Sequence, residues 1–294
     1  MPVESFELES LTPFERFLGV LSGREKAGKS RLAATAPKPV LVLDFDGRAA
    51  ALAGLPGVYA LTFREPPPHI QPTAFNDMLD VLTMLEANEG DLSMLMANGR
   101  PAFPTVPKGT KLKTLVADSV QTLARAAMSY ALYTSADMRR QLKIGGWQIN
   151  FVKNFDGWNA EMQAVESVLL RMIGLSNANL IATLHETDEE APDSTIEKPK
   201  FTGRVGIFPV RYQRLLKYFN ECYHVEQAPS MDNPASMSYT PRVQVRPDFR
   251  CPWAVTALDL DQFEKPDIGA MIVKHLSKHP NEAVATQPQL TTKI

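Results

Sequence analysis

The stretch Gly23-Arg24-Glu25-Lys26-Ala27-Gly28-Lys29-Ser30 constrains this chain more than any other. It reads G-x-x-x-x-G-K-S. Before it stands an apolar segment of strand length, Phe17-Leu18-Gly19-Val20-Leu21, and after it the helix formers Arg31 to Ala36, which Pro37 stops. Strand, glycine loop and helix is the order in which this pattern cradles a phosphate. Gly23 and Gly28 permit backbone angles that turn successive N–H groups inward, and the helix adds its positive end. Lys29 supplies a point charge for the β- and γ-phosphates, and the Ser30 hydroxyl is a ligand type for Mg²⁺. Residues Gly23 to Arg31, with Arg24, Glu25, Lys26 and Ala27 forming the arch, are thus candidate ATP contacts. The alternative is a chance match in a glycine-containing turn.

The rest of the composition fits a chain that buries a substantial core. Of 294 residues, 44% are hydrophobic and 22% charged, enough for one large or two small globular domains. A net charge of −2 offers no global basic field, so a nucleic-acid site must be a local patch. Cys222 and Cys251 form no metal or disulfide pattern, and no histidine cluster suggests zinc, which agrees with a reducing cytoplasm. The N-terminus lacks the apolar run of a signal peptide, and no stretch approaches the ~18 apolar residues of a membrane span.

Along the chain, Pro39 to Gly47 is a continuous apolar run ending in Asp44 and Asp46, the pattern of a parallel strand buried on both faces. Val58 to Phe63 is a third strand candidate. Residues 73–87 carry Phe75, Met78, Leu79, Leu82 and Leu85 at helical spacing. The proline-rich segment 99–110 reads as an excursion or short hairpin. Leu115-Val116-Ala117-Asp118-Ser119 is the second signal: a strand ending in an aspartate, similar to the Walker B strand whose Asp holds Mg²⁺. The alternative is that Asp118 caps the next helix. Helices 120–133 and 157–173 lead into another buried strand, Asn179 to Glu186. Glu221 to Glu226 and Ser238 to Val245 read as later strands in an antiparallel extension, and 266–276 as a last helix. Alternating strands and helices from 17 to 185 predict an α/β fold, a mostly parallel sheet flanked by helices. The expected organisation is an arm at 1–15, one domain over 16–279, and a loose tail at 280–294.

In that order, the motifs resemble the RecA-type P-loop ATPases, and more closely the compact phage RecA-like nucleotide-binding proteins, which include single-strand annealing recombinases. The resemblance rests on the loop at 23–30, with Glu at its third position, on Leu43-Asp44-Phe45-Asp46, on Leu115 to Ser119, on Thr183-Leu184-His185-Glu186, and on Glu264 to Ile268 at the start of the last helix. It spans roughly residues 15–275 and implies a RecA-like core with a C-terminal antiparallel extension. It also implies Mg²⁺-dependent ATP hydrolysis, weak or stimulated by DNA, with Lys29, Asp46, Asp118 and His185 as the catalytic set. Asp46 stands where the family has an acid that activates water, and His185 where a polar sensor reads the γ-phosphate. Two departures are that Asp46 is shorter than the Glu of RecA and that His185 replaces a glutamine or asparagine. From the residues themselves Asp44 is a rival to Asp46, either can cap the turn at Gly47, and His185 can equally serve the core.

The same resemblance implies a homo-oligomer, ring or filament, acting on single-stranded DNA in the cytoplasm, that of the host cell if phage-encoded, with a single-strand-binding protein as a further partner. It places DNA contacts in the segments 134–156 and 187–206. The first holds Arg139, Arg140, Lys143, Trp147 and Lys153, a mixture of cations and an aromatic suited to backbone contact and base stacking. The alternative is that Trp147 and Phe151, four apart, face inward from the start of a helix. The second segment is acidic at first and then basic, with Lys198, Lys200 and Arg204 in its loop. Competing functions are a P-loop enzyme with no DNA role, such as a small-molecule kinase, and a nucleotide-gated assembly factor.

Overall fold

The computed structural model describes residues 16–66, 70–135, 139–144, 147–153, 155–175, 178–191, 194–195, 200–207, 210–229 and 239–280. The elements run β1 (Leu18–Gly23), α1 (Lys29–Ala33), β2 (Val40–Asp44), β3 (Val58–Thr62), α2 (Ala74–Ala87), β4 (Met96–Ala97), β5 (Arg100–Pro101), β6 (Thr114–Asp118), α3 (Val120–Thr134), β7 (Arg139–Ile144), β8 (Trp147–Val152), α4 (Phe155–Gly174), β9 (Asn179–Glu190), β10 (Phe201–Ile207), β11 (Glu221–Pro229), β12 (Tyr239–Gln244), β13 (Phe263–Glu264) and α5 (Ile268–Lys278). The arm at 1–15, Lys198 and the tail beyond 280 lie outside the described residues.

The central sheet has the order β13-β12-β11-β1-β9-β6-β2-β3, with β10 added to the far end of β9. From β11 to β3 every neighbouring pair is parallel; β12 and β13 are antiparallel, as is β10 against β9. This corrects one expectation. β11 belongs to the parallel core beside β1, and only β12 and β13 make the antiparallel extension. Every residue of β2 and β6 is buried, because helices cover both faces of the sheet. Alternate side chains divide between two cores. Leu41, Leu43, Leu115, Ala117, Leu180 and Ala182 pack with α2, α3 and α4, while Val40, Val42, Val116 and Ile181 pack with α1 and α5.

Local sequence explains the helices. α2 buries Phe75, Met78, Val81, Leu82 and Leu85, a single face at spacings of three and four. Ser119 caps α3 by accepting from Thr122 N, and Asp267 caps α5 by accepting from Ala270 N. The segment 99–110 joins a two-residue ladder between β4 and β5.

Two further expectations change. Trp147 and Phe151 do not start a helix; they lie on β8, which pairs with β7 in a hairpin that matches Arg140 with Phe151 and Ile144 with Trp147. β9 also runs on past His185 through the acidic stretch to Glu190, so Arg204 lies within a paired strand and not in a loop. Across this ladder the acids Glu190, Asp188 and Glu186 stand opposite Phe201, Val205 and Ile207.

Candidate functional site

The C-terminal ends of β1, β2 and β6 lie on the same side of the sheet as His185 of β9, which is level with Gly23, and the phosphate loop rises from β1 between β11 and β9. In an open parallel sheet this edge is where ligands bind. Two glycines shape the loop for different reasons. Gly28 adopts φ 101°, a left-handed conformation, and a side chain there would meet nothing within 4 Å. Gly23 has no positive φ. It is needed because a Cβ would come within 2.4 Å of the Val225 carbonyl oxygen. α1 is only five residues long, so the loop's N–H groups and Lys29 must carry most of the positive field expected of the helix end.

Lys29 is buried, and its ammonium donates to the Gly23 and Arg24 carbonyls at 2.7 and 2.9 Å. Burial lowers its pKa against the raising influence of Glu186, Asp118, Asp46 and Glu25. The open cradle at Gly28 and the inward lysine fit a polyphosphate. Arg24, Glu25, Lys26 and Arg31 are exposed around it, Ala27 is buried, and Arg24 makes a two-pronged ion pair to Asp188 at 2.6 and 2.8 Å.

Asp118 is held from both sides. Ser30 Oγ donates to its Oδ2 at 2.5 Å and Thr183 Oγ1 to its Oδ1 at 2.5 Å. It does not cap α3; Ser119 does. Burial raises its pKa despite these two hydrogen bonds. A hydroxyl and a carboxylate in contact at a phosphate loop are the donor set that Mg²⁺ takes, and Ser30 and Asp118 would hold it.

The two acids after β2 have separate surroundings. Asp44 accepts from Arg48 N, Ala49 N and Thr62 Oγ1 at 3.1, 2.8 and 3.1 Å, so it closes the turn around Gly47. Asp46 reaches the other way. It accepts from Thr122 Oγ1 at 2.5 Å and Ser119 Oγ at 3.1 Å, and His185 Nε2 stands 3.5 Å from its Oδ2. Burial pushes the Asp46 carboxyl up, but the bonds from His185, Thr122 and Ser119 outweigh it and leave its pKa at about 2. His185 Nδ1 lies 3.4 Å from Lys29 Nζ, so the imidazole spans the lysine and the acid. Gln121 Nε2 donates to the His185 carbonyl at 3.3 Å.

A cleft of about 260 Å³ opens beside Asp46 and His185, and a larger one of about 680 Å³ lies on the other side of the loop's arch, walled by Glu186, His224 and Glu226. Sequence reasoning passed over Thr183, Ser119 and Thr122 as site residues. Their one signal is that each is a hydroxyl at a strand end or in a first helical turn.

The candidate DNA residues do not join this cluster. Arg139, Arg140 and Lys143 lie on β7 and Trp147 on β8, while Lys153 follows β8 and is exposed. Lys200 and Arg204 are exposed beside β9, with Arg204 over the Phe249 ring at 5.1 Å. No helix among the described residues is long and apolar enough to cross a membrane.

No curated protein matches this chain. The crystal structure of the RadB recombinase aligns with 80% of this chain and 82% of its own at 15% identity, with a TM-score of 0.34, a superposition too loose to bear on function. The AAA domain profile matches residues 17–206, more than half of the chain. With its phosphate loop on β1 and the β11-β1-β9-β6-β2 sheet around it, the chain has a mostly parallel α/β fold and belongs to the AAA domain family.

Proposed function

We propose that this protein binds ATP with Mg²⁺ through residues 23–31, hydrolyses it, and uses the cycle on single-stranded DNA during recombination or replication. The observation that carries the nucleotide part is the convergence of two short chains of contacts on one sheet edge. Ser30, Asp118 and Thr183 form one, and Lys29, His185 and Asp46 the other. Mg²⁺ held at Ser30 and Asp118 would offset the charge of the β- and γ-phosphates. Lys29 would leave the loop carbonyls for the nucleotide. Asp46 would accept a hydrogen bond from water and align it toward the γ-phosphorus, while His185 reads the phosphate from the neighbouring strand end. The separate engagement of Asp44 in its turn supports Asp46 in this role.

The DNA part is supported by continuity. β9 carries His185 at the site and runs directly into the β9–β10 ladder, while Asp188 on that ladder grips Arg24 of the loop. α3 begins at the site with Thr122 and packs against β8 of the second hairpin. Both segments therefore adjoin elements that carry candidate nucleotide-site residues, which supports a link between the two. We take residues 16–279 as one ATPase domain of a phage-type, cytoplasmic, oligomeric protein that can meet a single-strand-binding protein on its substrate. ATP turnover measured with and without single-stranded DNA tests this. Stimulation supports it, and turnover indifferent to DNA returns the assembly-factor reading.

A further inference from the structure

The cleft beside Asp46 contains two arginines that the scheme above leaves unused. Arg48 enters from the turn after β2, and Arg125 from α3, one helical turn beyond Gln121. Between them the wall carries Asp46, His185 and Thr122, with Glu25 at the loop side. Arg125 is exposed, whereas Leu123, Ala124, Ala126 and Ala127 around it are buried. Among the described residues Arg125 makes no hydrogen bond or ion pair. Among the described residues the Arg48 guanidinium reaches only Glu25, at 3.8 Å, beyond hydrogen-bond length. Two guanidinium groups from separate elements thus converge on one concavity that already holds two carboxylates.

We propose that Arg125, assisted by Arg48 at the rim, stabilises the phosphoryl group during its transfer to water, as a cation supplied by the same subunit that binds the nucleotide. This rests on the reading of the site as an ATPase. In the transfer, the water oxygen bonds to the γ-phosphorus while phosphorus separates from the β–γ bridging oxygen. That oxygen leaves with the electron pair on ADP, and the water proton ends on the released phosphate. Negative charge gathers on the equatorial phosphoryl oxygens, and catalysis consists mostly of placing positive charge and donors around them. Asp46, whose pKa is depressed to about 2, is a weak proton acceptor, so alignment and charge must supply the rate. Lys29 meets the His185 ring at Nδ1 and Asp46 meets it at Nε2, and the arginine-bearing cleft is walled by Asp46 and His185 but not by Lys29. A guanidinium there meets the phosphoryl group from the side of attack, and it offsets the charges of Glu25 and Asp46, which otherwise oppose an incoming phosphate. An arginine solvated on an open helix face has neither the concave wall nor a second arginine opposite.

The test compares two equilibrium affinities in the full chain with Mg²⁺ present: for ADP alone, and for ADP with aluminium fluoride, which mimics the phosphoryl group in flight. Arg125→Ala is expected to bind ADP as wild type does, within about twofold. It should lose the trapped complex by on the order of 10²-fold, the scale of one charged transition-state donor. Arg125→Lys should recover part of the loss, and Arg48→Ala should shift the same ratio by less. An unchanged ratio in Arg125→Ala, with wild type trapping normally, overturns the proposal alone. A wild type that binds neither nucleotide form overturns the ATPase reading and the proposal with it. Mixing Arg125→Ala with Lys29→Ala separates the two sources of the cation. Trapping should stay lost if Arg125 serves its own subunit, whereas recovery in the mixture means that it serves a neighbour and refutes the assignment.

Discussion

His185 Nε2 lies 3.5 Å from Asp46 Oδ2, so the middle of β9 and the turn after β2 meet beyond the end of the intervening β6. Hydrogen bonds that include this imidazole hold Asp46 ionised down to about pH 2 despite its burial. The carboxylate is then fully available at any working pH. Its contribution to the folded state is present above the ordinary carboxyl value of 3.8 and lost as pH falls through about 2.

Asp46→Asn should bind ATP normally and turn it over ~10²–10⁴-fold more slowly. Because Asp46 does not titrate near neutrality, the ratio of wild-type to Asp46→Asn rates should stay constant between about pH 5 and 8. Steady-state rates across that range check it. A ratio that climbs with an apparent pKa near 6 would show that Asp46 takes up the proton itself, and a dead Asp44→Asn beside a live Asp46→Asn would exchange their roles.

Lys29→Ala should weaken ATP binding by roughly 10- to 100-fold or more, the value of a charge-assisted contact to phosphate. Titration with a fluorescent ATP analogue reads this directly. Near-wild-type affinity in the folded variant is the outcome that refutes the phosphate-loop assignment.

Thr183→Val keeps the shape of a buried side chain and removes the donor to Asp118 Oδ1. A buried carboxylate oxygen left unpaired costs about 1–3 kcal/mol. Urea unfolding should show that loss. Mg²⁺ titrations of ATP binding should shift to higher concentration, since Asp118 loses the contact that fixes its orientation. Asp118→Asn should shift them further.

His224 donates to Glu186 at 2.9 Å, with Glu226 3.4 Å away, beneath the larger cavity. Burial lowers the His224 pKa, but the hydrogen bond it donates to Cys251 and the bond and charge of Glu186 outweigh it and raise it to about 10. Charged His224 therefore stabilises the fold fully below the ordinary value of 6.5, and that stabilisation is lost as pH rises through about 10. Glu186→Gln should cost about 3–5 kcal/mol near neutrality, as breaking a buried pair does. It should also flatten the alkaline fall in stability. Urea midpoints from pH 6 to 10 in both proteins measure this, and parallel curves would count against the pairing.

Replacing Arg139, Arg140 and Lys143 together by Ala should weaken single-strand binding and reduce the slope of log affinity against log salt by up to about 2, since about 0.7 counterion is released per phosphate contact on a single strand. ATP affinity should hardly change. Anisotropy of a labelled oligonucleotide across a salt series decides it. An unchanged slope in the folded variant would put the DNA site elsewhere.

The parts legible beforehand are those in which a short segment carries both pattern and punctuation. The loop at 23–30 specifies its own turn, and the apolar runs ending in Asp46, Asp118 and His185 place polar groups at strand ends. Runs apolar throughout pointed to a sheet covered on both faces, and β2 and β6 are buried along their whole length. The β7–β8 hairpin was missed because a spacing of four is shared by a helical face and by alternate positions on a strand. The length of β9 was missed because its acidic end is held by β10 and by Arg24 of the loop, partners that lie far away along the chain.

By itself, then, the amino-acid order determined the phosphate loop, the strand ends available to it, and the α/β class, since all three follow from contacts within a few residues. The tertiary structure alone decided which acid closes a turn and which faces the site. Asp44 and Asp46 differ by two positions, and their roles separate only because Thr62 and the Arg48 and Ala49 amides surround the first while Thr122 and His185 surround the second. It also decided that Thr183 should steady Asp118, that Val225 should demand a glycine at 23, and that Arg48 and Arg125 should share a cleft. Each of these is a meeting of side chains or backbone from separate strands and helices. The order of strands in the sheet sets such meetings, and a local pattern carries no information about its neighbour in space.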